Sequence, residues 1–529
     1  MTGRLGIDFG TSNTVLAVWD EARQEGHPIH LEDYGQWSQF GPERVSTVPS
    51  LIHYGADRRI WIGDQVIQRG LKDSPNTLRW MKRYINHRTP ICIHAGGRDI
   101  TPAMAGGNFL TNLLVYAAQE LDLQDEEIAF SVPVEAYEHY ENWLSSIAEN
   151  AGFPRVRFID EPSAAAIGYG ARIQPGNVYL IFDFGGGTLH ASIIRMESQK
   201  DALRGQRCRV LGKSGKDIGG SAIDQWLFEE VLKANHCSDA DDHVRAVSRA
   251  LLSACEQAKM ALSTQDSADI EVPAADGSPF IKHTFTRASL EATLDDHELF
   301  SDIHHAIQSA LNQAVERGYT IDSIVSVLMV GGSSQIPSIQ RFLRQQFGKE
   351  RVFFERPLDA VARGAAAYAA GVDFFDHIQH EYVIRYVDPQ AGAYAYKTLV
   401  NKGTPYPTRE PVASLTVKAS FNGQRQLGLA IFEIGDRRAL PTRSIELVFD
   451  QQGAARIVPV TVSDRDQRTH FWMNEGNPTF LVADPPASQG DARFEVEFHI
   501  DANKRLLVTS RDLLTRKLIH ENVPVVKLV

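Results

Sequence analysis

Residues 179–195, YLIFDFGGGTLHASIIR, restrict the fold more than any other stretch of the chain. An apolar run over residues 179–182 reads as a buried strand that delivers Asp183 to its tip. Gly185, Gly186 and Gly187 follow; lacking Cβ atoms, they let the backbone turn sharply and aim its N–H groups at a negative charge. Thr188 then opens a second apolar strand over residues 189–194. The pattern predicts a hairpin whose turn wraps a phosphate. Asp183 stands where a carboxylate could hold Mg²⁺ or its waters, an ion that usually binds through one or two carboxylates plus substrate phosphates. A triple-glycine turn between strands is more often only a turn, so the reading needs support elsewhere in the chain.

The support is a repeat. Residues 5–18, LGIDFGTSNTVLAV, follow the same plan: apolar strand, Asp8-Phe-Gly10, then Thr11, Ser12 and Asn13, then apolar strand. Asp8 and Asp183 stand 175 positions apart, which predicts a duplicated fold with one phosphate hairpin from each half. Residues 324–336, IVSVLMVGGSSQI, read as a buried strand ending in Gly331, Gly332 and Ser333, with Pro337 in the first turn of the next helix. Strand, glycine pair and helix start make a place where a flat ring or a sugar can approach the backbone.

A single core stops growing near roughly 250 to 300 residues, so 529 residues imply at least two domains. With 43% hydrophobic and 23% charged residues, the composition is that of an ordinary soluble protein. No run approaches the roughly 20 apolar residues of a membrane span, and the N-terminus enters a strand at once without a signal core. A cytoplasmic protein with no membrane partner is expected. Cys92, Cys208, Cys237 and Cys255 are far apart and fit no metal spacing, which suits a reducing compartment. A net charge of −12 disfavours nucleic acid as the main partner, since phosphate binding needs a basic surface.

Along the chain, residues 75–85 read as a helix carrying Lys82, and residues 128–134 as a strand. Tyr140, Trp143, Leu144, Ile147 and Ala151 recur at helical spacing and predict core. A strand over 156–159 leads through Asp160-Glu161-Pro162 into a small-residue helix, 163–169, whose alanines permit close helix packing. Gln199 and Lys200 read as an exposed turn without a role, and Gly219-Gly220 as another glycine pair. On a helix over 244–262, Glu256, Lys259 and Ser263 fall on one face; alone they read as a solvated face. Asp276-Gly277 predicts a hairpin turn, and Asp302, His304 and His305 read as surface residues. Residues 376–396 fit neither period and read as a linker. Beyond them, β-branched runs at 414–419, 427–434, 444–449, 456–462, 493–500 and 505–509 predict a sandwich.

These motifs resemble the actin-like ATPase superfamily and, within it, the DnaK-type heat-shock chaperones. The resemblance rests on residues 49–66 (PSLIHYGADRRIWIGDQV), 75–85 (PNTLRWMKRYI), 157–170 (RFIDEPSAAAIGYG), 255–263 (CEQAKMALS) and 359–371 (DAVARGAAAYAAG), in order and spacing. It runs over residues 3–372 and resumes at 399–408 and 498–503. It implies an α/β actin-like two-lobed ATPase domain of duplicated ribonuclease-H-like cores over 1–375, a linker over 376–396, and an all-β sandwich over 397–529. The chain stops about where the family's sandwich ends, which implies that the helical lid over bound peptide is absent.

By the same resemblance, Mg²⁺-ATP or ADP lies between two lobes, clasped by Gly10, Thr11, Ser12 and Asn13 and by Gly185, Gly186, Gly187 and Thr188. Lys82 and Glu161 orient the attacking water, Asp8 and Asp183 hold the cation shell, and Thr188 contacts the γ-phosphate. Gly219 and Gly220 lie near the phosphates; Glu256, Lys259, Ser263, Gly331, Gly332 and Ser333 hold the adenosine. The implied function is an ATP-dependent chaperone-like protein, a slow ATPase whose sandwich binds unfolded or extended polypeptide or a specific protein partner. A J-domain co-chaperone, for which Arg157 matches a contact position, and a nucleotide exchange factor are implied partners. The alternative is a nucleotide-dependent interaction module with little or no turnover; a sugar or acetate kinase is disfavoured because it has no need of a sandwich.

The chain departs from the family pattern at four site positions. His190 stands in place of an aspartate that ligates a monovalent cation, Gln335 in place of an arginine on the adenine face, Met260 at a helix position beside it, and Ser221 in place of an acidic residue. Adenine binding is expected to be weakened. With His190, turnover is expected to be slow, nearly indifferent to exchange of K⁺ for Na⁺, and pH-dependent between roughly 6 and 7.5, around the unperturbed imidazole value.

Overall fold

The computed structural model describes residues 4–40, 43–95, 97–121, 127–133, 138–170, 174, 176–196, 206–273, 281–375, 378, 380–387, 394–434, 445–449, 454–459, 470–475, 478–501 and 504–528. Gln199, Lys200 and the Asp276-Gly277 turn lie outside the described residues. The chain divides into two compact units. The first comprises Met1–Val134, Glu141–Phe375 and Pro441–Val460; the second comprises Glu135–Tyr140, Asp376–Leu440 and Thr461–Val529.

Two sheets of the first unit follow one plan. In the first sheet, Leu5–Phe9 pairs antiparallel with Asn13–Asp20 and parallel with Ile128–Val132, which pairs parallel with Val156–Asp160. In the second, Val178–Phe184 pairs antiparallel with Leu189–Met196 and parallel with Ile324–Val330, which pairs parallel with Val352–Phe353. The repeat read from the two Asp-Phe-Gly stretches therefore extends to strand topology. Val178–Phe184 is buried at every position, as its continuous apolar run requires when both faces of a parallel pairing are covered.

Helices Glu161–Tyr169 and Ala360–Ala369 cross at their glycines. A Cβ on Gly364 would lie 1.7 Å from Ala164 O, and one on Gly168 1.8 Å from Ala360 O. Asp160 caps the first helix by accepting the Ser163 N–H at 2.9 Å, a contact that satisfies one of the orphan donors of the first turn. Small residues thus set the helix separation, and the cap fixes where Glu161 leaves the sheet.

Residues 445–459 differ from the sandwich strands expected there. Ile445–Phe449 and Ala455–Pro459 pair with each other, and Leu447, Phe449 and Ala455 are buried in the core of the first unit with Trp80, Tyr84 and Val244. Both strands are hydrogen-bonded to this unit. Tyr84 Oη donates to Leu447 O at 3.0 Å, Gln225 Oε1 accepts the Leu447 N–H at 3.1 Å, and Ser248 Oγ accepts the Ala455 N–H at 3.0 Å. Alternation reveals a strand but not the sheet it joins, which is why sequence alone misassigns this segment.

The second unit holds two sheets around one core. Glu381–Val387 lies between Tyr394–Val400 and Gln424–Ile434, while Ala492–Ile500 lies between Ala413–Lys418 and Arg505–Asp512. Tyr382, Leu399, Leu429 and Ile431 from the first sheet and Phe494, Val496, Phe498 and Val508 from the second form one buried cluster. Glu495 and Glu497 face outward between them, the alternation of a sheet with one solvated face. The linker expected over 376–396 is corrected here: Ile378 and Tyr382 are fully buried, and Glu381–Val387 is a central strand. Tyr382 packs in the core while Tyr386 is exposed, so the mixed spacing marked a strand with one buried face and not a solvated connection.

Candidate functional site

The glycine turns of the two hairpins face each other. Gly185 N–H donates to Thr188 O at 3.0 Å and closes the second turn. A Cβ on Gly186 would lie 2.6 Å from Ser12 Oγ, and one on Gly187 2.4 Å from Thr11 Oγ1. Glycine is needed here for the approach of one turn to the other, not only for the phosphate expected from sequence. Ser50 Oγ donates to Gly10 O at 2.8 Å and steadies the first turn, and Asn13 begins the strand that follows.

Three other predicted segments close on the same turn. Gly220 N–H donates to Gly185 O at 3.0 Å and Ser221 N–H to Gly186 O at 2.7 Å. Ser333 Oγ donates to Gly185 O at 2.9 Å, and Lys259 Nζ to Gly220 O at 3.0 Å. Gly219 approaches Gly187 so closely that a Cβ would lie 2.6 Å from its nitrogen. Gly331, at φ 83°, begins the turn that carries Gly332 and Ser333.

Beneath the turns lies a buried charged centre. Lys82 Nζ donates to Glu161 Oε1, and His190 Nδ1 lies 3.4 Å from Glu161 Oε2. In the hairpin register Asp183 sits opposite His190, and donor atoms of Glu161, Asp183 and His190 lie within 4.8 Å of one another. Asp8 Oδ1 accepts from Ser131 Oγ at 2.8 Å. Burial pushes the Asp183 carboxyl up to about 7, with the Glu161 carboxylate adding to the effect. Burial likewise pushes Asp8 up to about 6, against the pull of Lys82. Glu161 is also buried, but Lys82 and His190 outweigh that and hold it at about 2. Two carboxyls driven towards neutrality by burial and by the Glu161 carboxylate form the environment that a hard divalent cation relieves, so the donor set fits Mg²⁺.

The expected adenosine residues divide. Glu256 Oε2 accepts from Arg79 Nη2 at 2.7 Å and Lys72 Nζ at 3.0 Å; against burial, those cations hold it at about 2. Lys259 pairs with Asp224 Oδ1 at 2.7 Å. Both side chains therefore already serve contacts within the protein. Ser263 lies just past the helix Asp242–Ala261, its N–H donating to Met260 O. Met260 is 65% exposed, and Ser221 Oγ accepts from Arg83. Arg157 donates to Tyr368 O at 2.7 Å and pairs with Glu127 at 3.4 Å. Sequence reasoning passed over Lys72, Arg79 and Asp224, and the buried pair of Lys213 with Asp160 at 2.9 Å. Single charges within helix or strand patterns carry no signal of the partner they meet.

The model of the Hsp70 protein family matches residues 4–445. The chain belongs to the Hsp70 family. Its relatives include the chaperone protein DnaK of Deinococcus proteolyticus, 27% identical over 547 aligned positions that cover 98% of this chain and 78% of that protein. DnaK of Methanothermobacter thermautotrophicus is 26% identical over 525 positions, 97% of this chain and 78% of that protein. DnaK of Thermosipho melanesiensis is 26% identical over 529 positions with the same coverage. The Hsp70 match spans both facing turns and the charged centre, and ends at Ile445, where the first strand of the hairpin begins. Among the described residues, no helix is long and apolar enough to cross a membrane.

Proposed function

We propose that this Hsp70 family member is an ATP-dependent chaperone-like protein that binds Mg²⁺-ATP at the facing turns and hydrolyses it slowly, coupling the cycle to polypeptide or partner binding by the sandwich. The observation that carries this reading is that two glycine turns approach each other closely and follow Asp8 and Asp183, whose buried carboxyls share a charged centre with the Lys82–Glu161 pair. Phosphoryl transfer to water depends mostly on positioning and charge stabilisation, and the centre offers both.

Asp8 and Asp183 would hold Mg²⁺, which supplies charge neutralisation to the phosphates. Backbone N–H groups of the turns at Gly10 to Asn13 and Gly185 to Thr188 bind phosphate oxygens, and the Thr188 hydroxyl donates to the terminal phosphate. Lys82 keeps Glu161 ionised, so Glu161 accepts a hydrogen bond from the attacking water and orients it. Gly219 and Gly220 lie near the phosphates, and Lys259 and Gly331 to Ser333 form the wall on the adenosine side, with Glu256 and Ser263 at its edge. Cys92, Cys237 and Cys255 are free thiols, in keeping with a role in the cytoplasm.

One observation favours the alternative, an interaction module with little turnover: the His190 ring lies against Glu161, where it can compete with the water. Phosphate release by the full chain, with and without an unfolded polypeptide, separates the two. Slow release that rises with polypeptide supports the chaperone reading. Tight ATP binding with no release in either condition supports the module.

A further inference from the structure

Cys237, Asp241 and His243 lie apart from the nucleotide centre, where helix Gly220–Ala234 gives way to helix Asp242–Ala261. All three are half-buried, and their donor atoms lie within 4.8 Å of one another. Cys237 Sγ is 3.6 Å from His243 Nε2. Tetrahedral zinc bonds sulfur at about 2.3 Å and imidazole nitrogen at about 2.0 to 2.1 Å, which sets those two ligands about 3.5 Å apart. The pair is thus already spaced as two ligands of one ion.

The third donor is oriented as well. Asp241 Oδ2 accepts the Ser238 N–H at 2.8 Å, which fixes the carboxylate and leaves Oδ1 for a metal, as outer hydrogen bonds do at such sites. His236, at φ 53°, reverses the chain, and Cys237 N–H donates to Leu232 O at 2.9 Å, so the thiol is held facing the next helix. Asp239, Asp241 and Asp242 supply negative charge that offsets the positive end of that helix.

We infer that Cys237, Asp241 and His243 form a binding site for a borderline divalent transition ion, zinc above all, with the fourth position open to water. Sulfur, imidazole and carboxylate together match zinc better than Mg²⁺, which takes oxygen donors. On loading, the thiol hydrogen that now points to Asn235 O, 3.2 Å away, leaves as a proton to solvent, and the thiolate bonds the ion without any change of oxidation state. Burial and the Asp241 carboxylate disfavour a bare thiolate at Cys237, a penalty that the cation removes.

The site has a structural consequence. Asp239, within the same turn, accepts from Arg456 Nε at 3.0 Å and from the Ile457 N–H at 3.0 Å. A metal closing Cys237, Asp241 and His243 around one ion stiffens the chain on both sides of Asp239, and so the anchorage of the hairpin 445–459.

The test uses the purified full chain stripped by a chelator and titrated with Co²⁺, then Zn²⁺. One equivalent of Co²⁺ with a thiolate charge-transfer band, displaced by Zn²⁺, is expected. That equivalent is lost in Cys237→Ser and in His243→Gln and kept in His190→Gln. Independently of any variant, Zn²⁺ slows alkylation of Cys237 by at least about tenfold, because a metal-bound thiolate is withdrawn from reaction, and leaves Cys92 unaffected. Absence of the band, an equivalent that survives Cys237→Ser or disappears with His190→Gln, or unchanged alkylation of Cys237 each overturns the site.

Discussion

Lys82 and Glu161 form a buried ion pair across 79 residues of sequence. Lys82 stands on helix Met81–Asn86, and Glu161 opens helix Glu161–Tyr169 directly after a strand. An exposed pair of this kind contributes about 0 to 1 kcal/mol. A buried one behaves differently, because removing one partner strands the other charge away from water.

Lys82→Ala should therefore abolish most turnover and also lower stability by about 3 to 5 kcal/mol, read by phosphate release and urea denaturation. The family resemblance implies slower hydrolysis with ATP binding nearly intact; the burial adds the stability cost. Lys82→Met combined with Glu161→Gln should recover stability and not turnover. Unchanged stability in the single variant would contradict the pairing.

Leu447 is fully buried in the first unit, although the chain on either side of 441–460 belongs to the second. Leu447→Ala should cost about 2 to 5 kcal/mol, the range for buried leucine truncation, in the denaturation transition reported by tryptophan fluorescence. Trp80, 6.2 Å from the Phe449 ring, is the reporter. Leu447→Met should cost less than about 1.5 kcal/mol. A full cost seen only in the second unit's transition would refute the packing.

Acid sensitivity should have a contribution from His53. Burial, with Arg249 adding, lowers its pKa below the usual imidazole value. The unfolded chain therefore binds more protons as pH falls below 6.5, and stability is lost on the acid side and fully present above it. His53→Gln should flatten the stability profile between pH 7 and 5, about one unit or more around that value. A slope identical to wild type would remove His53 as a contributor.

Much of the first unit could be read from sequence because its signals are local. Asp-Phe-Gly between apolar runs identifies both hairpins, and the alanines of residues 163–169 predict the tight helix crossing that Gly168 and Gly364 complete. What sequence could not supply is the choice of partner. Strand 445–449 has the alternation of a sandwich strand, yet its buried face meets Trp80 and Tyr84. Tyr382 lies in a segment of mixed character, yet it is a core residue beside Glu433. Glu256 and Lys259 lie on the expected face, but their ion partners Arg79 and Asp224 come from distant positions with no periodic mark.

His190→Asp should place a further carboxylate against Glu161 and Asp183, and a monovalent cation would then be required to offset it. Wild-type turnover should be nearly equal in K⁺ and Na⁺. The variant should turn over faster in K⁺ than in Na⁺. A strong K⁺ requirement in the wild type that the substitution leaves unchanged would contradict the role given to His190.

The central claim is that the two facing glycine turns bind the phosphates of Mg²⁺-ATP, and calorimetric titration of Mg²⁺-ATP into the full chain and its Gly186→Val variant tests it most directly. The Cβ of a valine would lie 2.6 Å from Ser12 Oγ and 3.4 Å from the Ser12 backbone N, and its two methyl groups reach further into the space between the turns, where the phosphates are placed. The account predicts one site in the wild type and at least about a hundredfold weaker binding in Gly186→Val, or about 2.7 kcal/mol. No binding to the wild type, or equal affinity in the two proteins, would contradict it.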